Sequence, residues 1–216
     1  MGSEFILYVC FGQLKQRMNK SRLEAFSDGV FAIIITIMVL ELKVPEGTGW
    51  ESIKPLAPVF VSYLLSFVFV GIYWANHHHL LHTAKKVSAG IIWANLHLLF
   101  WLSLIPFATG WMGINDFQKN TVAAYGGLLA LCGLAYTILS RVIRKCYGQE
   151  TELTRAICKS DGKGFVSLAL YLVSIPVAIF IHPLISAGIF VFVATLWLIP
   201  SKAIEKALED EGHSEA

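Results

Sequence analysis

The sequence predicts an all-α integral membrane protein with six transmembrane helices, on three observations. Charged residues make up 15% of the 216-residue chain and hydrophobic ones 56%, whereas a soluble domain carries about 25% charged residues. Mean hydropathy is +0.62. Several apolar runs reach the roughly 20 residues that a helix needs to cross a bilayer. In lipid a backbone must satisfy its own hydrogen bonds, which leaves helices or a closed barrel. A barrel needs alternating segments of about ten residues, and these runs are continuous.

Residues 1–17 open with "MGSEF" and read as an upstream or cloning-derived lead, because a second methionine, Met18, begins "MNKSRLEAF". Residues 18–208 form one six-span unit, and 209–216 a disordered tail. The first span covers 24–43 and ends where Pro45 and Gly47 open a loop. The second, 56–77, starts after Pro55 and runs into "NHHHLLH". The third, 88–112, contains Pro106. The fourth is 121–142, and a polar loop over 142–164 has room for a short surface helix. The fifth, 165–182, contains Pro176, and "HPL" turns the chain into the sixth, 184–200.

Of the 17 Lys and Arg, only Lys43, Lys54 and Lys119 fall on one side of this topology. The positive-inside rule therefore places both termini in the cytoplasm, as an even number of spans requires. Trp50, Trp74, Trp93, Trp101, Trp111 and Trp197 include several at span ends, as interfacial anchors are, and others that would pack between helices. The chain is expected as a multi-pass protein of the cell's inner (plasma) membrane. Cys10, Cys132, Cys146 and Cys158 form no CxxC pair and read as free thiols. There is no internal repeat, no soluble catalytic domain and no expected nucleic-acid partner, so an enzyme is not expected.

The first span, within "SRLEAFSDGVFAIIITIMVLELKVP", carries polar residues where lipid favours apolar ones. At about 100° per residue from Ile33, Arg22, Phe26, Gly29, Ile37 and Leu40 fall within about 40°, and Thr36 about 60° away. Ser27 and Asp28 point to other faces. An ionisable group in a span faces a bundle interior or a wet cavity and needs a partner. At the same depth the second span offers Asn76, His77, His78, His79 and His82, and the third Trp93, Asn95 and His97. A cluster of Arg22, Ser27, Asp28, one or more of His77–His79, and Asn95 or His97 would rigidify three helices.

Other readings of these residues stay open. Asp28 also suits a helix start, where the macrodipole favours an acid. The stripe also suits ordinary packing, since periodicity does not show a pore. The histidines have spacings that can ligate metal, and His77 and His97 could face each other across a haem. Asp28 with a histidine could instead serve a proton- or cation-coupled transporter.

"RLEAFSDGVFAIIITIMVLELKVP" resembles the transmembrane protein 175 family of potassium-permeable channels in its bacterial form. Arg22, Phe26, Ser27, Asp28, Gly29, Thr36, Glu41 and Pro45 carry the pattern, and "YWANHHHLLH" and "WANLHLLFWLSLIPF" extend it through the third span. The resemblance implies a homo-oligomer, a tetramer, in the lipid bilayer, with the first helix of each subunit lining the pore. It implies Ile33, Thr36, Ile37 and Leu40 as pore layers, three of them a hydrophobic constriction and Thr36 a contributor to potassium preference. Ile37 stands where the family pattern leads one to expect Leu. It also implies that Arg22, Phe26, Ser27, Asp28, Gly29, His77, Asn95 and His97 pack around the pore helix. No cofactor and no fixed metal are expected, only the permeant potassium ion at the pore layers. No "TVGYG" occurs, so carbonyl rings of that kind are absent. The expected selectivity for potassium over sodium is therefore weak.

Overall fold

In the computed structural model, which describes residues 20–84, 86–147 and 152–198, every regular element is helical. The expected lead at 1–17 and tail at 209–216 lie outside these residues. The α-helices are α1 Lys20–Leu40, α2 Ala57–His82, α3 Ala89–Ser103, α4 Ile105–Ile114, α5 Lys119–Tyr147, α6 Glu152–Phe180 and α7 Pro183–Leu198. Single-turn 3-10 helices at Trp50–Ser52 and Lys54–Leu56 lead into α2. By length and composition five segments can cross a membrane, with α3 and α4 counted together, and α7 is a shorter apolar helix of 16 residues.

The elements end where side-chain chemistry ends them. Ser88 caps α3, its hydroxyl accepting the Ile91 N–H at 3.3 Å. The third span breaks at Leu104 because Pro106 has no N–H and its ring would clash with the Leu102 carbonyl. Proline is favoured in a first helical turn, and Pro106 stands there in α4. Asp116 and Phe117 take positive φ at 48° and 56° in the turn into α5, where Phe117 packs on the core. The Val177 carbonyl accepts both the Ile181 and His182 N–H groups at 3.0 Å, and Pro183 then opens α7.

Two boundaries differ from the sequence reading. The polar loop expected at 142–164 is largely helix, since α5 reaches Tyr147 and α6 starts at Glu152. Hydropathy marks where a helix meets lipid, and a helix that continues into water carries no such mark. The first helix starts four residues before its expected apolar onset and turns away after Leu40, short of 43.

α1 packs against α2, α3 and α4, while α5, α6 and α7 form the other side of the bundle with α2. Tyr125, Phe190, Tyr171 and Phe69 join the two sides through ring contacts of 5.5 to 6.4 Å. A buried hydroxyl chain ties α2, α4 and α5. Thr109 Oγ1 lies 2.6 Å from Ser66 Oγ and 2.7 Å from the Ile105 carbonyl oxygen, and Ser66 Oγ lies 2.8 Å from the Tyr125 hydroxyl. With Tyr125 donating to Ser66, Ser66 to Thr109 and Thr109 to the carbonyl, every proton finds an acceptor.

Backbones approach closely at Gly113, where an added Cβ would stand 2.7 Å from Val59 Cα and against Ser62 Oγ. Gly113→Ala should therefore force α4 off α2 and cost about 1–3 kcal/mol. Gly71, where an added Cβ would meet nothing within 4 Å, is the control. Thermal denaturation followed by size-exclusion in detergent should show a lower Tm for Gly113→Ala and an unchanged or higher one for Gly71→Ala.

Candidate functional site

α1 presents two unlike faces. Leu23, Ser27, Phe31, Ile34 and Met38 are buried, at the three- and four-residue spacing of one helical stripe. On the other side Phe26 is 52%, Ile33 57%, Ile37 44% and Leu40 77% exposed. Gly29 and Thr36 share that exposed side. The Thr36 hydroxyl turns back onto the Ile33 carbonyl at 2.9 Å, so its oxygen keeps lone pairs toward the open face.

The buried face is held by a polar chain across three helices. Ser27, Asn95 and His77 are each at most 1% exposed. Ser27 Oγ donates to the Leu23 carbonyl at 2.8 Å. Its lone pairs are then free for Asn95 Nδ2, which donates at 3.0 Å. That sets the amide so that Oδ1 faces His77 Nε2 at 2.6 Å. An amide oxygen only accepts, so Nε2 carries the proton. Phe31 packs on the imidazole with ring centroids 5.4 Å apart. Where the helices begin and end, Lys20 Nζ donates to the His82 carbonyl at 2.8 Å, a cation on a helix C-terminus.

The expected cluster is only partly assembled. Asp28 is exposed and turned to α2, where its Oδ1 accepts the Trp74 indole N–H at 2.9 Å. By sequence Trp74 suggests an interfacial anchor or a ring packed between helices, with no partner named. It lies three residues before His77, on the same face of α2, and that spacing is the available signal. His97 is exposed, its Nε2 accepting Trp101 Nε1 at 2.9 Å within α3. It stands two residues, about 200°, from Asn95 around the helix, and cannot share the chain. Arg22 is exposed and, among the described residues, joins no hydrogen bond or ion pair. Phe26 and Gly29 lie on the open face and not in the network. The His78 and His79 rings meet edge to face at 5.7 Å, with Trp74 beside His78 at 6.3 Å. Among the described residues no three His, Cys, Asp or Glu converge to hold a metal. His77 and His97 belong to separate pairs, so a shared haem between them has no geometry here.

These features define a polytopic α-helical membrane protein whose first helix is bracketed on one face by intramembrane hydrogen bonds and open on the other. The model of a family described as the endosomal/lysosomal potassium channel TMEM175 matches residues 22–106. A protein named a potassium channel from Chryseobacterium sp. (strain P1-3) is 55% identical over 193 residues, 89% of this chain and 100% of that relative. The chain belongs to the TMEM175 family. A human relative, named an endosomal/lysosomal proton channel, is 35% identical over 100 residues, which is 40% of this chain but 20% of that protein. The crystal structure described as a lysosomal potassium-selective channel TMEM175 homolog from Chamaesiphon minutus superposes with a TM-score of 0.72 at 27% identity, covering 85% of this chain and 98% of that one.

Removing Asn95 leaves His77 and Ser27 without their partner in a place water does not reach. Asn95→Ala should lower stability by about 1–3 kcal/mol, whereas His97→Ala, at an exposed site, should stay within about 0.5 kcal/mol. Unfolding in mixed detergent micelles, followed by tryptophan fluorescence, checks both.

Proposed function

We propose that this chain assembles as a homotetramer in the cell's inner membrane and conducts potassium passively. In this reading the exposed stripe of α1 lines the ion path. What carries the reading is the division of α1. A helix packed on three neighbours through one face still leaves Ile33, Thr36, Ile37 and Leu40 uncovered. The full-length similarity to a named potassium channel supports the same assignment, and the excess of Lys and Arg at one end supports both termini facing the cytoplasm.

One chain cannot enclose a path with one helix. Four copies around an axis would bring Ile33, Ile37 and Leu40 into aliphatic rings, about one helical turn apart. Such rings gate by dewetting when narrow. When wider they pass ions that have shed part of their water, with few ligands to replace it. Potassium dehydrates more readily than sodium, so the preference is weak and favours the larger ion. Thr36 supplies the one hydroxyl among these layers. Arg22 stands on the stripe's basic end, where it would meet ions at the mouth. Ser27, Asn95 and His77 would then fix the helix, and Asp28 with Trp74 its rotation. The reading needs no cofactor and no chemistry beyond ion movement.

A second reading, proton- or cation-coupled transport through Asp28, draws on the printed name of the human relative and on the exposure of Asp28 within a span. It has less support, because Asp28 is turned to Trp74 and not to a histidine.

Reversal potentials of the reconstituted protein under a potassium/sodium gradient separate these. The expected outcome is a potassium-shifted reversal that moves toward zero in Ile33→Asn, Ile37→Asn and Leu40→Asn. Equal permeability in the wild type, or a current indifferent to all three substitutions, would overturn the assignment of the stripe.

A further inference from the structure

Glu41 stands one residue past the Leu40 end of α1. The Glu41 and Leu42 N–H groups still bond back to the Met38 and Val39 carbonyls, at 3.3 and 3.1 Å. The side chain is therefore carried on a last tightened turn and not on a free loop. It lies across α4, where a Cβ added to Gly110 would stand 2.9 Å from Oε2, 3.2 Å from Cδ and 3.4 Å from Cγ. Gly110 is buried, so the space of its missing Cβ is what the Glu41 stem and carboxylate occupy.

Three things make this an unfavourable place for a negative charge. Glu41 is half-buried against a helix, "IPFATGWMGI", that has no charged residue. Among the described residues its carboxylate joins no hydrogen bond and no ion pair; Lys43 is exposed and does not reach it, and Lys54 is taken by Glu51 at 2.8 Å. It also follows the C-terminus of a helix, whose last carbonyls carry partial negative charge and favour cations over acids. A carboxylate that is partly desolvated and unpartnered is costly. An ionisable group of this kind at a span reads as functional. What offsets its cost is a cation arriving from solution.

We propose that Glu41 supplies the charge at the outer mouth of the ion path, concentrating monovalent cations at the entrance without holding any one of them. The inference rests on the assignment of the exposed α1 stripe to that path. Leu40, the last layer of the stripe and 77% exposed, is its neighbour in sequence. About 100° around the helix separates the two, so Glu41 flanks the path instead of blocking it. Its stem on Gly110 keeps the charge from swinging away. Copies of the chain around an axis would place their carboxylates and their α1 C-termini together, just beyond Leu40. Charges of one sign around an entrance raise the local concentration of counter-ions, and rings of acidic side chains serve cation channels in this way. A charge in water acts on potassium and sodium alike, whereas the aliphatic layers tell them apart. Glu41 therefore governs how many cations arrive and not which of them pass.

The test is the unitary conductance of the full-length protein, reconstituted in planar bilayers in symmetrical KCl, for wild type, Glu41→Gln and Glu51→Gln. Glutamine keeps the length of the side chain and its place on Gly110. Exposed charges act over about 10 Å at about 0.1 M salt and about 3 Å at about 1 M. For cations entering from the outer side, Glu41→Gln should pass about two-fold less current than the wild type at the lower concentration and the same current at the higher. Its reversal potential under a potassium/sodium gradient should equal the wild type's. Glu51→Gln removes the same charge from an exposed ion pair in the outer loop and should leave the conductance unchanged. The proposal is overturned by an unchanged low-salt current in Glu41→Gln, by an equal fall in Glu51→Gln, or by a shifted reversal potential. A loss in Glu41→Gln that persists at high salt would overturn it too, and make Glu41 a packing residue. A wild type without potassium current would overturn the pore reading itself, and this proposal with it.

Discussion

The arrangement of the first three helices depends on one chain of hydrogen bonds that has no water to fall back on. Ser27, Asn95 and His77 are buried between apolar helices, and each bonds to another member of the chain or to a backbone carbonyl. In water such groups would exchange partners freely. Inside lipid an unmet donor is expensive, so the chain discriminates strongly between one arrangement of α1, α2 and α3 and all others. Its direction follows from chemistry alone: the serine proton is spent on Leu23, the amide is thereby oriented, and the imidazole tautomer follows from the amide.

Farther along α2 the hydroxyl chain of Ser66, Thr109 and Tyr125 plays a similar part for α4. The proline break at Leu104 detaches α4 from the register of α3. A half-helix freed in this way needs its own reference point. Thr109 supplies it on α2 and α5, while Gly113 lets the backbones close on Val59. The end of α1, where the Glu41 side chain just beyond it lies over Gly110 of α4, is thus positioned through a different set of contacts from its beginning.

Depth is legible in the sequence and rotation is not. Hydropathy places the spans, and counting from their ends puts Ser27, Asn95 and His77 at one level, where they meet. The same count puts Arg22, Asp28 and His97 at similar levels, yet they face elsewhere, because one residue turns a helix by about 100° and no feature of a single chain reports which neighbour lies at which angle. The open arc of α1 can be drawn because apolar spacing repeats at helical period. What that arc faces is not in the period. Trp74 escapes notice as the partner of Asp28 because a tryptophan near a span end has a common interfacial explanation. Ser66 and Thr109 give no signal, since a Ser or Thr hydroxyl in a helix ordinarily bonds to its own preceding turn, and Tyr125 reads as one more packed ring. The ends of α5 and α6 are misplaced by hydropathy for a related reason: beyond lipid, a helix and a polar loop have similar composition.

Neighbouring residues of α2 meet different helices: Trp74 and His77 reach α1 and α3, and Tyr73 packs on Tyr136 of α5. Tyr73 and His77 stand only about 40° apart around the helix, so α2 is held on adjoining sides. Side-chain tips lie about 5–6 Å from its axis, so a roll of about 10° moves them by roughly 1 Å, enough to stretch a 2.6 Å contact such as that between His77 and Asn95 out of hydrogen-bond range. A substitution that rolled α2 at Tyr73 would therefore disturb the bracket of the first helix as well.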